Sequence, residues 1–137
     1  MNVHVEVIDN SDKVKEALET QLKAALEACG LQGESYAKEN ITAAGRVDTG
    51  NLRNSISHSV SEDTAYIGTN VEYAVYHEMG TGIYAEGGGG RQTPWFYVDR
   101  NGEGHYTRGI KPTHFLKDAV ANHREEYERL IETHLKR

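Results

Sequence analysis

Histidine is the first residue type to test for chemistry in this chain, because neutral imidazole is the commonest metal ligand in proteins. The 137 residues include seven histidines, and His77-Glu78 matches the first half of the zinc-binding pattern His-Glu-x-x-His. That pattern needs a second histidine four positions after the first, where this sequence has Thr81. We therefore predict no metal site and interpret the histidines as surface residues.

A hydrolase triad is the second chemistry to consider, since Asp48, His77 and either Thr49 or Ser55 supply its residue types. Neither hydroxyl residue lies within Gly-x-Ser-x-Gly, the sequence that places a nucleophile on a tight turn between a strand and a helix. The four glycines and arginine at 87–91 also lack the Gly-Lys-Ser/Thr ending of a phosphate-binding loop. The sequence predicts no catalytic residue and no cofactor, and a hydrolase is kept only as the weaker alternative.

Charge, cysteine content and composition exclude several other classes of protein. The formal net charge of −6 argues against a protein that grips DNA phosphates regardless of sequence, which requires clustered lysines and arginines. The single Cys29 cannot form a disulfide within the chain and falls in an apolar helical pattern, so we expect it to be buried. With 37% hydrophobic and 26% charged residues and no signal sequence, the chain is expected to be one soluble domain over residues 1–137 that stays in the cytoplasm.

Apolar periodicity predicts the elements that position these side chains, beginning with a strand and a long helix. Valines alternate with other residues over positions 3–8, which predicts a short strand with one buried face, and residues 9–12 supply turn and N-cap chemistry. An apolar residue then recurs every three or four positions, which predicts an amphipathic helix against the core, at Val14, Leu18, Leu22, Ala25, Leu26 and Cys29. Gly30 and Gly33 favour a kink or break near the first of the two.

The rest of the chain reads as short helices and two hairpins. A helical turn or two is predicted over residues 50–57, with Leu52 and Ile56 on one face, and another short helix over residues 72–79. Residues 56–60 and 64–69 favour one antiparallel hairpin, and residues 95–98 and 105–107 favour a second around Asn101-Gly102. A final helix from about Thr113 carries an apolar stripe at Leu116, Ala119, Val120, His123, Tyr127, Leu130 and Ile131. The predicted class is α+β, a small antiparallel or mixed sheet with hairpins, flanked by a long N-terminal helix and a C-terminal helix.

Three separated segments carry the most specific pattern in the sequence. They are Val-Asp-Thr-Gly-Asn-Leu-Arg-Asn-Ser-Ile at 47–56, Ile-Gly-Thr-Asn-Val-Glu-Tyr-Ala-Val-Tyr-His-Glu-Met-Gly-Thr-Gly at 67–82, and Lys-Pro-Thr-His-Phe-Leu-Lys-Asp-Ala at 111–119. In this order and spacing they resemble the gene-ten-like family of tailed bacteriophages and prophages, whose genes lie among those for the head-tail neck and tail completion. The resemblance covers roughly residues 12–130.

This resemblance implies a structural role without a reaction, a cofactor or a membrane. It implies an α+β subunit that forms a homo-oligomeric ring around the DNA channel, with DNA passing through the lumen. The implied partners are the adjacent phage connector and the tail-terminator or tail-tube proteins. The implied locations are the bacterial host cytoplasm during assembly and the neck or tail of the mature virion.

The motif residues have local structural explanations. We expect Asp48 and Thr49 to cap the following helix, Gly68 and Gly80 to serve backbone geometry, and Tyr73, Tyr76 and Phe115 to lie in the core. Packing does not explain Arg53, so we expect it to form an ion pair, either between subunits or within the core. The full set of motif positions with predicted structural roles is Asp48, Thr49, Gly50, Leu52, Arg53, Ser55, Gly68, Thr69, Tyr73, Ala74, Glu78, Gly80, Thr81, Pro112, Phe115 and Leu116.

The glycine-rich segment at about residues 80–94 is predicted to be a mobile loop, and a ring subunit needs a segment that becomes ordered on contact with its neighbour. The candidate docking residues of this loop are Tyr84, Gly87, Gly88, Gly89, Gly90, Arg91 and Trp95. An alternative reading is a nucleic-acid-binding module, in which basic residues follow the DNA backbone with aromatic rings nearby. Its residues would be Arg91, Arg100, Arg108, Lys111, Trp95 and Tyr97.

Overall fold

The computed structural model describes residues 3–7, 9–45, 50–99 and 101–136. The helices are α1 (Ser11–Ala43), α2 (Asn51–Ser55), α3 (Ala74–Met79), α4 (Phe115–Ala121) and α5 (Arg124–Leu135). The strands are β1 (Ser57–Ser61), β2 (Thr64–Gly68), β3 (Trp95–Val98) and β4 (Gly104–Thr107), and short 3-10 turns lie at Gly82–Tyr84 and Glu86–Gly88. The predicted α+β class is confirmed, as are both hairpins.

Each hairpin is a separate antiparallel sheet of two strands. In the first, Ser61 pairs with Thr64 around a tight turn in which Glu62 adopts a left-handed conformation, with φ of 55°. In the second, the Asp99 carboxylate accepts hydrogen bonds from the backbone N–H groups of Asn101 and Glu103, and Gly102 supplies the positive φ that the turn requires. The two turns explain why β1 pairs with β2 and β3 pairs with β4.

The core forms where the C-terminal half of α1 meets α2, the first hairpin and α4. Phe115 and Ile41 are fully buried within it, and Leu52 and Ile56 are buried together, as their spacing predicted. The remaining buried members are Ala37, Ala74 and Ala119, with Tyr36, Ile67, Val71 and Leu116 packed around them. This centre brings all three segments of the sequence motif into contact.

The predicted break in the first helix is wrong, because α1 continues through both glycines for 33 residues. A Cβ atom on Gly30 would lie 2.6 Å from Cδ2 of His58, and one on Gly33 would lie 3.0 Å from Cγ2 of Ile67. The glycines therefore allow β1 and β2 to approach the helix closely. This packing offsets the helix-propensity penalty of about 1 kcal/mol for each glycine.

The predicted apolar stripe of α1 is buried only in its C-terminal part. Leu26 and Cys29 are buried, whereas residues 11–20 are all exposed, including Leu18 at 52%. At 1.5 Å per residue α1 is about 50 Å long, and its neighbours α2, α4, α5 and the first hairpin cover only part of that length. The prediction that Leu18 packs against the core of its own chain is therefore wrong.

The predicted N-terminal strand is also wrong over its described residues. Residues 3–7 contain no strand, and Val3, Val5 and Val7 are largely exposed, while Ile8 lies outside the described residues. Alternation favours a strand only where a neighbouring strand can pair with it, and the described strands pair within their own hairpins.

The predicted single C-terminal helix is two helices, separated at Asn122 and His123. The His123 ring stacks on Tyr36 of α1, with ring centroids 3.5 Å apart, and the Tyr127 hydroxyl donates to the carbonyl of Ala119. The first contact fixes the break against α1, and the second ties α5 back to α4 across it. Val120, predicted to lie in the apolar stripe, is 58% exposed. Within the described residues no helix has the length and apolar character needed to cross a membrane.

Candidate interaction surfaces

Glu78, in the second motif segment, caps helix α4, which begins in the third segment. Its carboxylate accepts hydrogen bonds from the backbone N–H groups of Leu116 and Lys117, both at 2.9 Å, in the first turn of α4. The first N–H groups of a helix have no partner within the helix, and the N-terminus favours negative charge. The residue before the helix, His114, has φ of 53° and makes no side-chain cap of its own. Glu78 therefore takes the role that a local cap would normally fill.

The backbone around residues 80–82 is fixed against residues 108–113. The Thr81 N–H group donates to the carbonyl of Ile110 at 2.9 Å, and the Thr81 hydroxyl oxygen accepts from the N–H group of Ile110 at 3.0 Å. Gly80 has φ of 80°, and a Cβ atom there would lie 2.9 Å from Cδ of Pro112. The predicted backbone role of Gly80 is therefore confirmed, and Thr81 and Pro112 belong to the same contact.

Ser55 and Thr69 connect the first two motif segments. Their hydroxyl oxygens lie 2.5 Å apart, the Ser55 hydroxyl also bonds to the Leu52 carbonyl, and the Thr69 hydroxyl accepts from the N–H group of Val71. Among the described residues, no base contacts the Ser55 hydroxyl, which gives the hydrolase alternative no support. Gly50 precedes α2 with φ of 82°. The predicted caps Asp48 and Thr49 lie outside the described residues.

Four other motif positions differ from their predicted roles. Tyr73, just before α3, and Tyr76, within it, were predicted to be core residues but are exposed, whereas Phe115 is buried as predicted, and Ala74 is buried as well. Gly68 has neither a positive φ nor an atom close to where its Cβ would lie, so its backbone does not require glycine. Because Arg53 is exposed, the expectation of an ion pair within the core is wrong, and the expectation of a pair between subunits stays a prediction.

The glycine-rich loop is held at its base and exposed at its tip. Ile83 donates from its N–H group to the Arg108 carbonyl at 3.0 Å, and the Glu86 Oε1 atom lies 2.7 Å from His114 Nε2. Gly87, Gly88 and Gly89 are exposed and have open space where a side chain would begin. The tip is thus the part of the candidate docking loop that is free to meet a partner.

The second hairpin leaves an aromatic face uncovered. Phe96 pairs with Tyr106 across the strands, and Val98 lies on the same face because side chains alternate. The Phe96 and Tyr106 rings make an edge contact with centroids 5.3 Å apart, and Tyr106 is 80% exposed. The principal contacts of β3 and β4 are with each other, so we call this hairpin, residues 95–107, the aromatic arm.

Basic residues at the base of the aromatic arm lie beside aromatic rings. The Arg91 guanidinium lies 5.6 Å from the centroid of the Trp95 ring, and the Lys111 ammonium lies 5.8 Å from that of Tyr84. These are cation–π distances. Arg108 is exposed nearby, and Arg100 lies outside the described residues. The residues named for the nucleic-acid alternative are therefore brought together in part.

An apolar groove lies on the opposite side of the first hairpin from Tyr66. Its volume is about 250 Å³, with its floor on α1, one wall on β2 and the other on α4 and α5. Leu26, Gly33, Ile67, Val120, Tyr127 and Ile131 supply much of its lining, and Asp63 lies at the hairpin end. Burial and the neighbouring Tyr36 and Cys29 raise the pKa of Tyr127 to about 12, and burial raises the pKa of the Cys29 thiol, as expected beside an apolar surface.

His58 is held between two carboxylates of α1. Its Nε2 lies 3.0 Å from Glu27 Oε2, and its Nδ1 lies 3.2 Å from Glu34 Oε1, although the second contact is poorly aligned for a hydrogen bond. Burial by itself lowers the pKa of His58, but the two carboxylates more than offset this, so the pKa lies above its usual 6.5. Sequence patterns missed this contact because its partners are 31 and 24 positions away.

Asp99, Glu103 and His105 come together at the tip of the aromatic arm, with all three ligand atoms within 4.8 Å of one another. The His105 Nε2 lies 2.8 Å from Asp99 Oδ2, and the other Asp99 oxygen is engaged by the turn backbone. Hydrogen bonds from His105 and from the Glu103 and Asn101 backbone lower the pKa of Asp99. Contacts within the turn account for this arrangement, and the absence of a metal site stays a prediction.

In the comparison with known protein families, a family model matches more than half of the chain. The family model is described as "HK97-gp10_like: Bacteriophage HK97-gp10, putative tail-component" and matches residues 6–80. The matched span includes α1, the first hairpin and α3, and it ends before the aromatic arm and the C-terminal helices. Comparisons with curated proteins and with solved structures gave no match.

Proposed function

This chain belongs to the HK97-gp10-like family of bacteriophage tail components, and on that premise we propose that it forms a ring at the head-tail neck or completes the tail. As a structural protein of a phage, it meets other virion proteins rather than a substrate. In the proposed ring, copies of the chain surround the DNA channel. Their neighbours would be a connector protein on one side and a tail-terminator or tail-tube protein on the other.

The observation that carries this proposal is the amount of aromatic and aliphatic surface left uncovered. Large exposed apolar patches on a soluble protein mark surfaces that other molecules cover. Those of α3 and the segment after it are Tyr73, Val75, Tyr76, Met79, Ile83 and Tyr84, and those of the aromatic arm are Phe96, Tyr97, Val98 and Tyr106. One exposed side chain would need no explanation, but ten over these two neighbouring stretches favour an assembly role.

The contacts of the motif support the same function because they hold these surfaces in place. Glu78 ties the end of α3 to α4, and the pairing of Thr81 with Ile110 ties the base of the loop to the chain that leaves the arm. A surface presented on fixed elements loses less conformational freedom on binding. We propose that the three segments build a platform for docking and that none of their residues is catalytic.

Deletion of the gene from its phage or prophage tests the proposal. We expect filled heads and separate tails by electron microscopy, with joining restored by the unaltered gene supplied in trans. A complementing gene that encodes the exposed substitution Glu132→Ala should restore joining equally well. Infectious particles at normal yield from the deletion would contradict the proposed role.

One specific observation supports the nucleic-acid alternative, namely the cation–π pairs at Trp95 and Tyr84. Proteins that contact DNA phosphates lose affinity steeply with salt, by about 0.9 in log–log slope for each phosphate neutralised. Duplex binding whose salt slope falls when Arg91 and Lys111 are replaced by Gln would favour a lumen-facing role for this base. No binding at low salt would remove the alternative and leave the assembly proposal unchanged.

A further inference from the structure

We propose that the aromatic arm of one copy seats in the apolar groove of the next copy, a contact that rests on the proposed ring assembly and names its two surfaces. The face with Phe96, Val98 and Tyr106 would enter the groove between α1 and α5. Because arm and groove are different parts of the chain, the contact is head-to-tail. Such contacts build a ring when the rotation between copies closes.

The arm needs a partner for physical reasons. An isolated hairpin of two strands is only marginally stable in water, and stability comes from packing one of its faces against another layer. The first hairpin has such a layer, since its inward residues His58 and Ile67 pack on α1. The second hairpin has no comparable layer among the described residues, although it carries the more aromatic face. Gly104 leaves room for the Phe96 ring on that face, because a Cβ atom there would clash with the ring.

The groove has the size and lining for side chains of this kind. Its volume of about 250 Å³ is below the roughly 300–1,000 Å³ of typical small-molecule sites. Its lining is mostly apolar, and Val120 on its wall is more than half exposed. Burial of one aromatic side chain covers about 150–250 Å². The groove therefore suits one or two aromatic side chains better than a cofactor or metabolite.

Charge indicates the direction in which the arm would enter the groove. The groove ends at the acidic turn of the first hairpin, Glu62 and Asp63, which is exposed. The arm has exposed Arg108 next to Tyr106, and Arg91 lies at its base. Seating the arm with its base toward this acidic turn would place Arg91 and Arg108 near Glu62 and Asp63, while the arm's own carboxylates, Asp99 and Glu103, lie at its far tip. Complementary charge of this kind fixes orientation and partner choice.

The aromatic pair belongs to an element outside the span shared with the family, which ends at residue 80. The groove, by contrast, is largely built from α1 and the first hairpin, inside that span. In the proposed contact, an element outside the matched span meets a surface built largely inside it.

Photo-cross-linking in assembled particles tests where the arm lies. p-Benzoylphenylalanine in place of Tyr106 should give cross-links to peptides from the groove, residues 26–33 and 120–131. Mixed labelled and unlabelled chains show whether these links join different copies. Links to other virion proteins alone, or between two arms, would overturn this inference and leave the proposed function standing. Particles that lack the chain altogether would overturn the proposed function itself.

Sedimentation of purified variants gives a second test, which does not require assembled particles. In sedimentation of the purified chain, Tyr106→Ser and Val120→Lys should each shift the mass from oligomer to monomer. Tyr66→Ser is the matched control, since Tyr66 is 54% exposed in the first hairpin and points away from the groove, and it should leave the mass unchanged.

An equal mixture of the Tyr106→Ser and Val120→Lys chains carries one intact arm and one intact groove for each pair. The mixture should form dimers and nothing larger, because the remaining arm and groove of each dimer are both altered. Two arms meeting each other would instead let Val120→Lys oligomerise alone. That result, or an unaltered chain that stays monomeric at its highest soluble concentration, would overturn the inference.

Discussion

Single side chains in this protein act across long sequence distances, and Glu78 is the clearest case. As one acidic residue in a short helix it looks like an ordinary surface residue, yet its carboxylate completes the start of α4. The sequence segment that contains it resembles a known family, but the segment itself does not indicate this contact. A signal was present, however, since α4 begins without Ser, Thr, Asp or Asn at its N-cap position.

Glu78→Ala should lower the free energy of unfolding by about 1.5–3 kcal/mol, because it removes two hydrogen bonds to a charged acceptor. Urea denaturation followed by circular dichroism measures this difference. Glu132→Ala, an exposed change on α5, should stay within about 0.5 kcal/mol of the unaltered chain. Equal effects of the two substitutions would show that the cap contributes nothing specific.

The pair of contacts at His58 should make stability depend on pH. The carboxylates raise the pKa of His58 above its unfolded value, so the folded state holds the proton more tightly. The resulting stabilisation is fully present below pH 6.5 and is lost as pH rises from there through the raised pKa. We expect the unaltered chain to lose more stability over this window than His58→Gln does. Parallel curves for the two chains, or an NMR titration of His58 below pH 6.5, would contradict the ion-pair account.

Local sequence predicts the individual helices and strands better than it predicts which other elements they pack against. Alternation and turn residues located both hairpins, and the spacing of Leu52 and Ile56 placed both in the core. The break between α4 and α5 could not be predicted, because Tyr36 on a distant helix stacks on His123 and helical periodicity alone runs through it. Likewise the apolar stripe of α1 predicts a covering surface but does not say whether that surface lies in the same chain.

Gly30 tests the packing of the first hairpin on α1. In an exposed helix, replacement of Gly by Ala stabilises by about 1 kcal/mol, since alanine has the higher helix propensity. Here Gly30→Ala should destabilise, because the new Cβ would lie 2.6 Å from a His58 ring already held by two carboxylates. Gly33→Ala is the matched variant and should be milder, because its nearest contact is 3.0 Å. A gain in thermal stability for Gly30→Ala would refute the close approach.

Deletion of the exposed tip of the glycine-rich loop should impair assembly without lowering the stability of the fold. Deletion of residues 87–89 should change the free energy of unfolding by less than about 0.5 kcal/mol, because shortening a surface loop alters closure entropy only slightly. Joining of heads to tails should fall in a phage carrying the deletion, since the loop would no longer reach its partner. Glu132→Ala, an exposed change on α5 outside the loop, is the control and should leave joining unchanged. Normal joining by the deletion would rule out the loop tip as a docking element.

At the scale of the whole molecule, the chain buries a small apolar core and leaves apolar side chains exposed on α1 and on the aromatic arm. Leu18 and Val14 on α1 and the aromatic arm are exposed in the same chain whose Phe115 and Ile41 are fully buried. A protein that worked alone in water would gain little from such surfaces and would risk aggregation. Membership of a family of phage tail components supplies the reason, because the assembled virion can cover what the single subunit cannot.

Quantitative mass spectrometry of purified infectious particles tests the central claim, that this protein is a structural part of the virion, most directly. The assembly account predicts the chain in those particles at several copies for each one, in a fixed ratio to the other tail proteins. Particles that are infectious and contain none of the chain would contradict it.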